Sequence, residues 1–344
     1  MALTNVDLYR IDGTIGSVSN LQTASLNGGQ LAGARNRVIN GRMAVDQRNS
    51  GATQTFTAGA ALAYSVDRWY GYCTGANVTG ARVQGATAGQ FYYRFTGAAS
   101  VTGIGFGQRI EQLNSADLAG TTATLSVDLA NSVLTTVTWT AYYANSADTF
   151  GTLASPTRTQ IATGTFTVTS TVTRYSTNIS IPAAATTGIE IVFTVGAQTS
   201  GTWTIGSVQL EPGSTATPFE RLNYGQILSL CQRYYYRITP GSNSYFGPAA
   251  AYTAVLATVL IQFPTPMRTA VASIEQTGTA ADYRMLVNGA TQICNSVPTY
   301  GGTSGIYSIV VNFNFAAATL TAGHAGIAVA ANSATPYLGF SAEL

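Results

Sequence analysis

Apolar and polar residues alternate with a period of two over most of this chain. Between Thr121 and Leu129, the side chains of Leu125, Val127 and Leu129 point one way and those of Thr124, Ser126 and Asp128 the other. Val133 to Tyr143 repeats the pattern with Val137, Trp139, Ala141 and Tyr143 on one face. From Thr163 to Ile181, threonines alternate with Phe166, Val168, Val172, Tyr175, Ile179 and Ile181, and Ile189 to Val195 turns Ile191 and Phe193 inward. Half-buried strands with no long helix between them predict an antiparallel sandwich and argue against a βαβ fold.

The period changes once, between Ile205 and Arg237. A strand carrying Ile205, Val208 and Leu210 is broken at Glu211-Pro212-Gly213 and again at Pro218. Asn223 and Gln226 then have capping-box spacing, and Leu222 and Ile227 have staple spacing. The apolar stripe that follows is Tyr224, Ile227, Cys231 and Tyr234, with Leu228 and Leu230 beside it. About three turns of helix need tertiary cover. Either the chain's own domains supply it or sister copies do.

After this short central helix the strand pattern resumes. Ala251 to Phe263 is a long apolar run, and Tyr307 to Phe315 alternates Tyr307, Ile309, Val311, Phe313 and Phe315 with Asn312 and Asn314. Ala325 to Ala331 and Pro336 to Leu344 supply the last strands. Strands as apolar as Val255 to Phe263 are expected to be covered on both faces, as at a subunit interface. The predicted organisation is an arm (1–36), a first β-sandwich (37–211), a linker and short helix (212–236), and a smaller C-terminal β-sandwich (237–344). No internal repeat of fixed period occurs, which argues against a parallel β-helix.

Composition narrows the classes. Only 9% of the 344 residues are charged while 46% are hydrophobic and 36 are glycine, an uncharged β-type composition. A net charge of +2, all its cations arginine and without basic runs, predicts neither a nucleic-acid nor a membrane partner. Cys73, Cys231 and Cys294 are widely spaced, so no disulfide framework or zinc site is expected. The first residues lack a basic segment followed by an apolar run, so no signal peptide is predicted.

The strings QLEPGS, TPFE and LCQRYYY in the 205–237 stretch resemble the junction of bacteriophage tail-fibre and minor tail proteins. So do ING-M-VDQRNSG (39–51), SVDRWY (65–70) and GQRIEQLN (107–114), in one order over roughly 36–237. The resemblance implies a virion protein with a jelly-roll domain similar to carbohydrate-binding modules, and the strand pattern agrees with a jelly roll. It also implies attachment to other tail or baseplate proteins through the N-terminal arm, synthesis in the host cytoplasm, and a homotrimer with Tyr224, Ile227, Leu228, Cys231 and Tyr234 near the axis. Modules of this kind often hold a structural calcium through an acid in the final strand, where this chain has Ser207.

Chemistry-bearing residues are sparse. The single histidine, His324, lies in TAGHAG with no catalytic motif around it, and Glu111, Asp117, Asp148, Glu275 and Asp282 fall near loops without a signature. Neither catalytic residues nor a cofactor or metal are predicted. Trp69 reads as a core aromatic with Asp67 and Arg68 tying a strand end to a turn, and Arg109 with Glu111 as a rim pair. Sugar recognition uses flat rings and directional hydrogen bonds. The candidates are Tyr92, Tyr93, Trp139, Tyr142, Tyr143 and Trp203, drawn from 19 tyrosines and three tryptophans. The expected function is a non-enzymatic phage fibre that binds a host surface polysaccharide. The alternatives are an architectural virion protein without receptor and a polysaccharide depolymerase.

Overall fold

A computed structural model describes residues 34–59, 61–316, 319–331 and 336–344. Nearly all of the expected arm (1–36) lies outside the described residues. The first body is built from β1 (Gln54–Phe56), β2 (Ala63–Tyr64), β3 (Tyr70–Thr74), β4 (Val78–Gln84), β5 (Phe91–Thr96) and β6 (Gly103–Ile110). It is completed by β7 (Thr122–Asn131), β8 (Thr136–Ala144), β9 (Arg158–Thr167), β10 (Thr173–Ser180), β11 (Ile189–Val195) and β12 (Thr202–Pro212).

These strands form two six-stranded antiparallel sheets, ordered β1-β4-β5-β12-β7-β10 and β2-β3-β6-β11-β8-β9. Counted from β5 as the first strand, the eight from β5 to β12 read 1-8-3-6 in one sheet and 2-7-4-5 in the other. That order is a jelly roll. The expected alternation holds: Leu125, Val127 and Leu129 of β7 face Ile191 and Phe193 of β11 across a core that also holds Trp69, Phe106 and Trp203. The Thr163–Ile181 stretch divides into β9 and β10, which lie in opposite sheets.

Helix α1 (Tyr224–Gln232) starts where expected, with both halves of the capping box formed by Asn223 and Gln226. Its apolar stripe corrects the reason offered for a trimer. Ile227 and Cys231 pack on Val45, flanked by Ile39, Leu222 and Leu228, so the loop at 37–51 covers them within the same chain. Tyr234 is buried and its hydroxyl donates to Glu111 (2.7 Å), while Tyr224 is left 59% exposed. The helix therefore needs no sister copy to hide its apolar side.

The C-terminal body comprises β13 (Tyr235–Ile238), β14 (Tyr245–Ala251), β15 (Leu256–Gln262), β16 (Glu275–Gln276) and β17 (Tyr283–Val287). The rest is β18 (Ala290–Ile293), β19 (Thr299–Ser304), β20 (Ser308–Asn314), β21 (Ala325–Ala330) and β22 (Leu338–Ser341). A seven-stranded sheet (β18-β17-β21-β14-β15-β20-β19) and a three-stranded one (β13-β22-β16) enclose a second core around Phe246, Tyr283, Phe313 and Phe340. The run at Val255–Phe263 is covered on one face, not two. Ala257, Val259 and Ile261 are buried, but Leu260 on the other face is 49% exposed and Val255 is 41% exposed.

Candidate functional site

The outer face of the β2-β3-β6-β11-β8-β9 sheet carries the most chemistry. Strand β6 has glycine at 103, 105 and 107, alternate positions that all turn outward. Without side chains there, rings from β3 lie down across the sheet. A Cβ on Gly105 would fall 2.1 Å from Tyr72 Cζ, and one on Gly107 would fall 2.5 Å from Tyr70 Oη. Cross-strand register aligns Tyr142, Glu190 and Arg109 in one row and Thr140, Val192, Gly107 and Tyr70 in the next.

Glu190 is fully buried beneath this layer. Its carboxylate accepts from Tyr70 Oη (2.7 Å), Arg109 Nε (2.8 Å) and Arg158. Arg109 also donates to the carbonyl oxygens of Leu344 and Gly151, each at 2.8 Å, so it is fixed on three sides. The Arg158 guanidinium lies 4.2 Å from the centre of the Tyr142 ring. Burial pushes the Tyr72 hydroxyl above its ordinary pKa, partly offset by Arg158, and Tyr70 is raised for the same first reason. What remains open to solvent is a flat patch of Tyr72, Tyr142 and Arg158, bordered by half-buried Thr138, Thr140 and Thr194. Flat rings, a guanidinium edge and hydroxyls suit a shallow polyhydroxylated ligand.

The candidate residues named from the sequence are scattered. Tyr142 lies on this face, and Tyr143, half-buried, packs against the sandwich core. Trp139, Trp203 and Tyr93 lie inside the sandwich at 5%, 0% and 1% exposure, so no ligand reaches their rings. Tyr92 is on the opposite sheet, 8% exposed and laid over Gly206. Tyr72, Tyr70 and Arg158 were not among the candidates. The signal that pointed to them was the alternating glycine of GIGFG, since glycine within a strand marks close approach from above.

Apart from Tyr70, Gly107 and Arg109, the strings that resemble phage proteins come together elsewhere, at the junction of sandwich, helix and C-terminal body. Asn40 Oδ1 accepts from Val45 N (3.0 Å), and Asp46 accepts from Asn49 N (3.0 Å) and Gly51 N (2.6 Å). Asp67 accepts from Gln47 N (3.0 Å), as the reading of a strand end tied to a turn expected. Arg68, at φ +73°, pairs with Glu343 and stacks 3.5 Å from the centre of the Tyr234 ring. The expected Arg109–Glu111 pair is replaced: Arg109 turns to Glu190, and Glu111 takes two hydrogen bonds from Arg233 (2.7 and 3.1 Å) across the junction. Two positions apart, the side chains would share a face in a continuing strand, but β6 ends at Ile110 and Glu111 opens the turn that leads away from the sheet.

The other acids are also engaged. Asp117 pairs with Arg37 (2.5 Å), Asp148 accepts from Gln112 N (2.7 Å), Glu275 from Tyr235 Oη (2.8 Å) and Asp282 from Thr277 Oγ1 (2.6 Å). His324 Nδ1 lies 2.7 Å from Asn288 Nδ2 in a loop. At the bulge in the last sandwich strand, Arg174 donates to the Ser207 carbonyl (2.9 Å) and pairs with Asp128 (3.1 Å). That local donor set is satisfied by the chain's own cation and does not fit a calcium ion. Among the described residues no group of three or more His, Cys, Asp or Glu is placed to hold a metal ion, and no helix is long and apolar enough to cross a membrane.

No family model matches the sequence, and no curated protein matches it. Among solved structures the chain is similar to a CBM4 module at 17% identity, with 50% of this chain and 97% of that one covered and a TM-score of 0.32. It is similar to TmCBM61 in complex with beta-1,4-galactotriose at 12% identity, covering 42% and 88% with a TM-score of 0.29. It is also similar to the enzymatically active domain of tailspike protein 4 of bacteriophage CBA120, at 17% identity and a TM-score of 0.31, over 52% of this chain and 21% of that one. The jelly-roll assignment comes from the strand order, not from these likenesses.

Proposed function

We propose that this protein is a non-enzymatic virion component that binds a host surface glycan on the outer face of β2-β3-β6-β11-β8-β9. The observation that carries the glycan reading is the column of outward glycines on β6, cleared for Tyr70 and Tyr72 and finished with Tyr142 and Arg158. Such a surface stacks on the C–H face of a pyranose while the guanidinium and threonine hydroxyls meet its hydroxyls. The virion assignment is supported by the phage-like strings, whose residues build the junction between the two β bodies. Glycan-array binding and pull-down of host cells test the proposal together. The Tyr72→Ala/Tyr142→Ala double variant loses both signals; retention of both in that variant removes this face from the reading.

The trimer of the fibre reading needs a different surface from α1. The outer face of the seven-stranded sheet supplies one, with Leu260 and Ile327 49% and 38% exposed. Light scattering at micromolar concentration distinguishes a trimer from a monomer, and Leu260→Glu is expected to dissociate it. An architectural role without receptor is the outcome if the protein stays on particles but binds no glycan.

A further inference from the structure

Away from the tyrosine face, the loop at 37–51, the β4–β5 hairpin and the start of α1 enclose an open cleft of about 340 Å³. Its walls include Arg42, Arg82, Phe91, Leu222 and Tyr224, and among the described residues no carboxylate lines it. Asp46 stands 3.9 Å from Arg82 Nε, but its oxygens are already held by the amides of Asn49 and Gly51. Arg82 is fixed by donating to the Ala44 carbonyl (2.7 Å) and lies 4.6 Å from the centre of the Phe91 ring.

Arg42 differs from most other arginines of the chain. Among the described residues it has no carboxylate or carbonyl partner, and its charged neighbour is another cation, the exposed Arg221. Partial burial and that like charge both make its protonated state harder to hold. A guanidinium with a like-charged neighbour and no counter-ion is at a cost that an anion placed beside it removes. Phe91, Leu222 and the exposed ring of Tyr224 provide an apolar wall beside those charges.

We propose that this cleft binds an acidic saccharide unit, its carboxylate held by Arg42 and Arg82 and its ring face against Phe91 and Tyr224, with Arg221, a neighbour of Arg42 outside the lining, adding its charge. The ligand class rests on the glycan reading above; the place and the charge rest on these residues alone. A cation cluster by itself takes any small anion, and the aromatic wall is what asks for a ring attached to the charge.

Calorimetric titration tests it with a glucuronate-containing oligosaccharide, the neutral oligosaccharide carrying glucose in its place, and inorganic sulfate. The acidic sugar is expected to bind more weakly as salt rises, and to lose about tenfold or more in affinity in Arg42→Met and in Arg221→Glu. Its binding is retained in Tyr72→Ala, while the neutral sugar is indifferent to both arginine variants. Arg221 is exposed, so its reversal reports on binding even if Arg42→Met fails to fold. Unchanged acidic-sugar affinity in both arginine variants overturns the proposal, as does sulfate binding as tightly as the sugar, or loss of acidic-sugar binding in Tyr72→Ala alone. Neutral-sugar binding at the tyrosine face without acidic-sugar binding here sinks this inference only; absence of binding by either sugar sinks the glycan reading as well.

Discussion

Substituting Gly105 by alanine displaces a ring of the proposed glycan face without removing it. The added methyl would lie 2.1 Å from Tyr72 Cζ, 2.3 Å from Cε1 and 2.5 Å from Oη, whereas ordinary contact begins at 3.4 Å. The backbone at 105 is in a conformation any residue adopts, so the conflict falls on the ring. To relieve it the ring must lift by more than an ångström, away from the position it holds beside Tyr142 and Arg158. Overpacking costs about 1–3 kcal/mol, and a half-buried ring that can swing toward solvent places this case near 1. Binding suffers more: loss of a well-placed aromatic anchor is worth about 2 kcal/mol, or roughly 30-fold in Kd. Titration of the glycan found on the array, beside thermal melts, separates the two effects. Gly103→Ala is the control, since its methyl meets Thr74 Oγ1 at 3.3 Å and no ring. Wild-type affinity in Gly105→Ala, or equal losses in both glycine variants, would refute the role given to the Tyr72 ring.

Three further outcomes are expected. Glu111→Gln removes the charge that Arg233 and Tyr234 address; the partly exposed Arg233 keeps the cost to about 2 kcal/mol in urea unfolding at pH 7. Burial alone would raise the Glu111 pKa, but hydrogen bonds from Arg233 and Tyr234 lower it, so this contribution is present above the ordinary carboxylate range and the gap to Glu111→Gln closes as pH falls through the folded value. Asp67 has the opposite sign: burial lifts it from 3.8 to about 6, so its carboxyl favours the folded state only while protonated, and the wild type loses up to about 3 kcal/mol relative to Asp67→Asn between pH 4 and 7. A difference between the two that is flat with pH contradicts this. Cys73, Cys231 and Cys294 are buried with thiol pKa values raised by desolvation, so alkylation at pH 8 leaves all three unlabelled by mass spectrometry until denaturant is added.

Much of the fold was legible because its signals are local. Period-two alternation located β7, β8 and β11, and the Asn223/Gln226 spacing located the start of α1. Three features were not legible, each for its own physical reason. The cover of Ile227 and Cys231 comes from Val45, almost two hundred residues upstream, so the stripe looked unsupported. The strand at Leu256–Gln262 looked buried on both faces because hydrophobicity records what a side chain tolerates, and Leu260 tolerates solvent. Four of the six aromatic candidates are buried for a third reason: aromatic residues are as common in cores as on binding faces, and Tyr93, Trp139 and Trp203 took the core.

The most distinctive strings and the proposed binding face share only Tyr70, Gly107 and Arg109, and packing accounts for the separation of the rest. At the junction, buried polar side chains meet from distant segments: Asn40 with Val45 and Asp67, Gln47 with Asp67, Glu111 with Arg233 and Tyr234. A buried donor or acceptor left unmatched costs about 1–3 kcal/mol, so each identity is tied to its partners and the sequence there is unusual enough to resemble a family. On the tyrosine face only Tyr70, Arg109 and Arg158 are tied in this way, to Glu190. The threonines, Tyr72 and Tyr142 are of kinds found on any solvated strand, and what marks the face is the absence of side chains at 103, 105 and 107. Resemblance therefore reports how the two β bodies are joined, and the ligand must be sought where glycine clears the sheet.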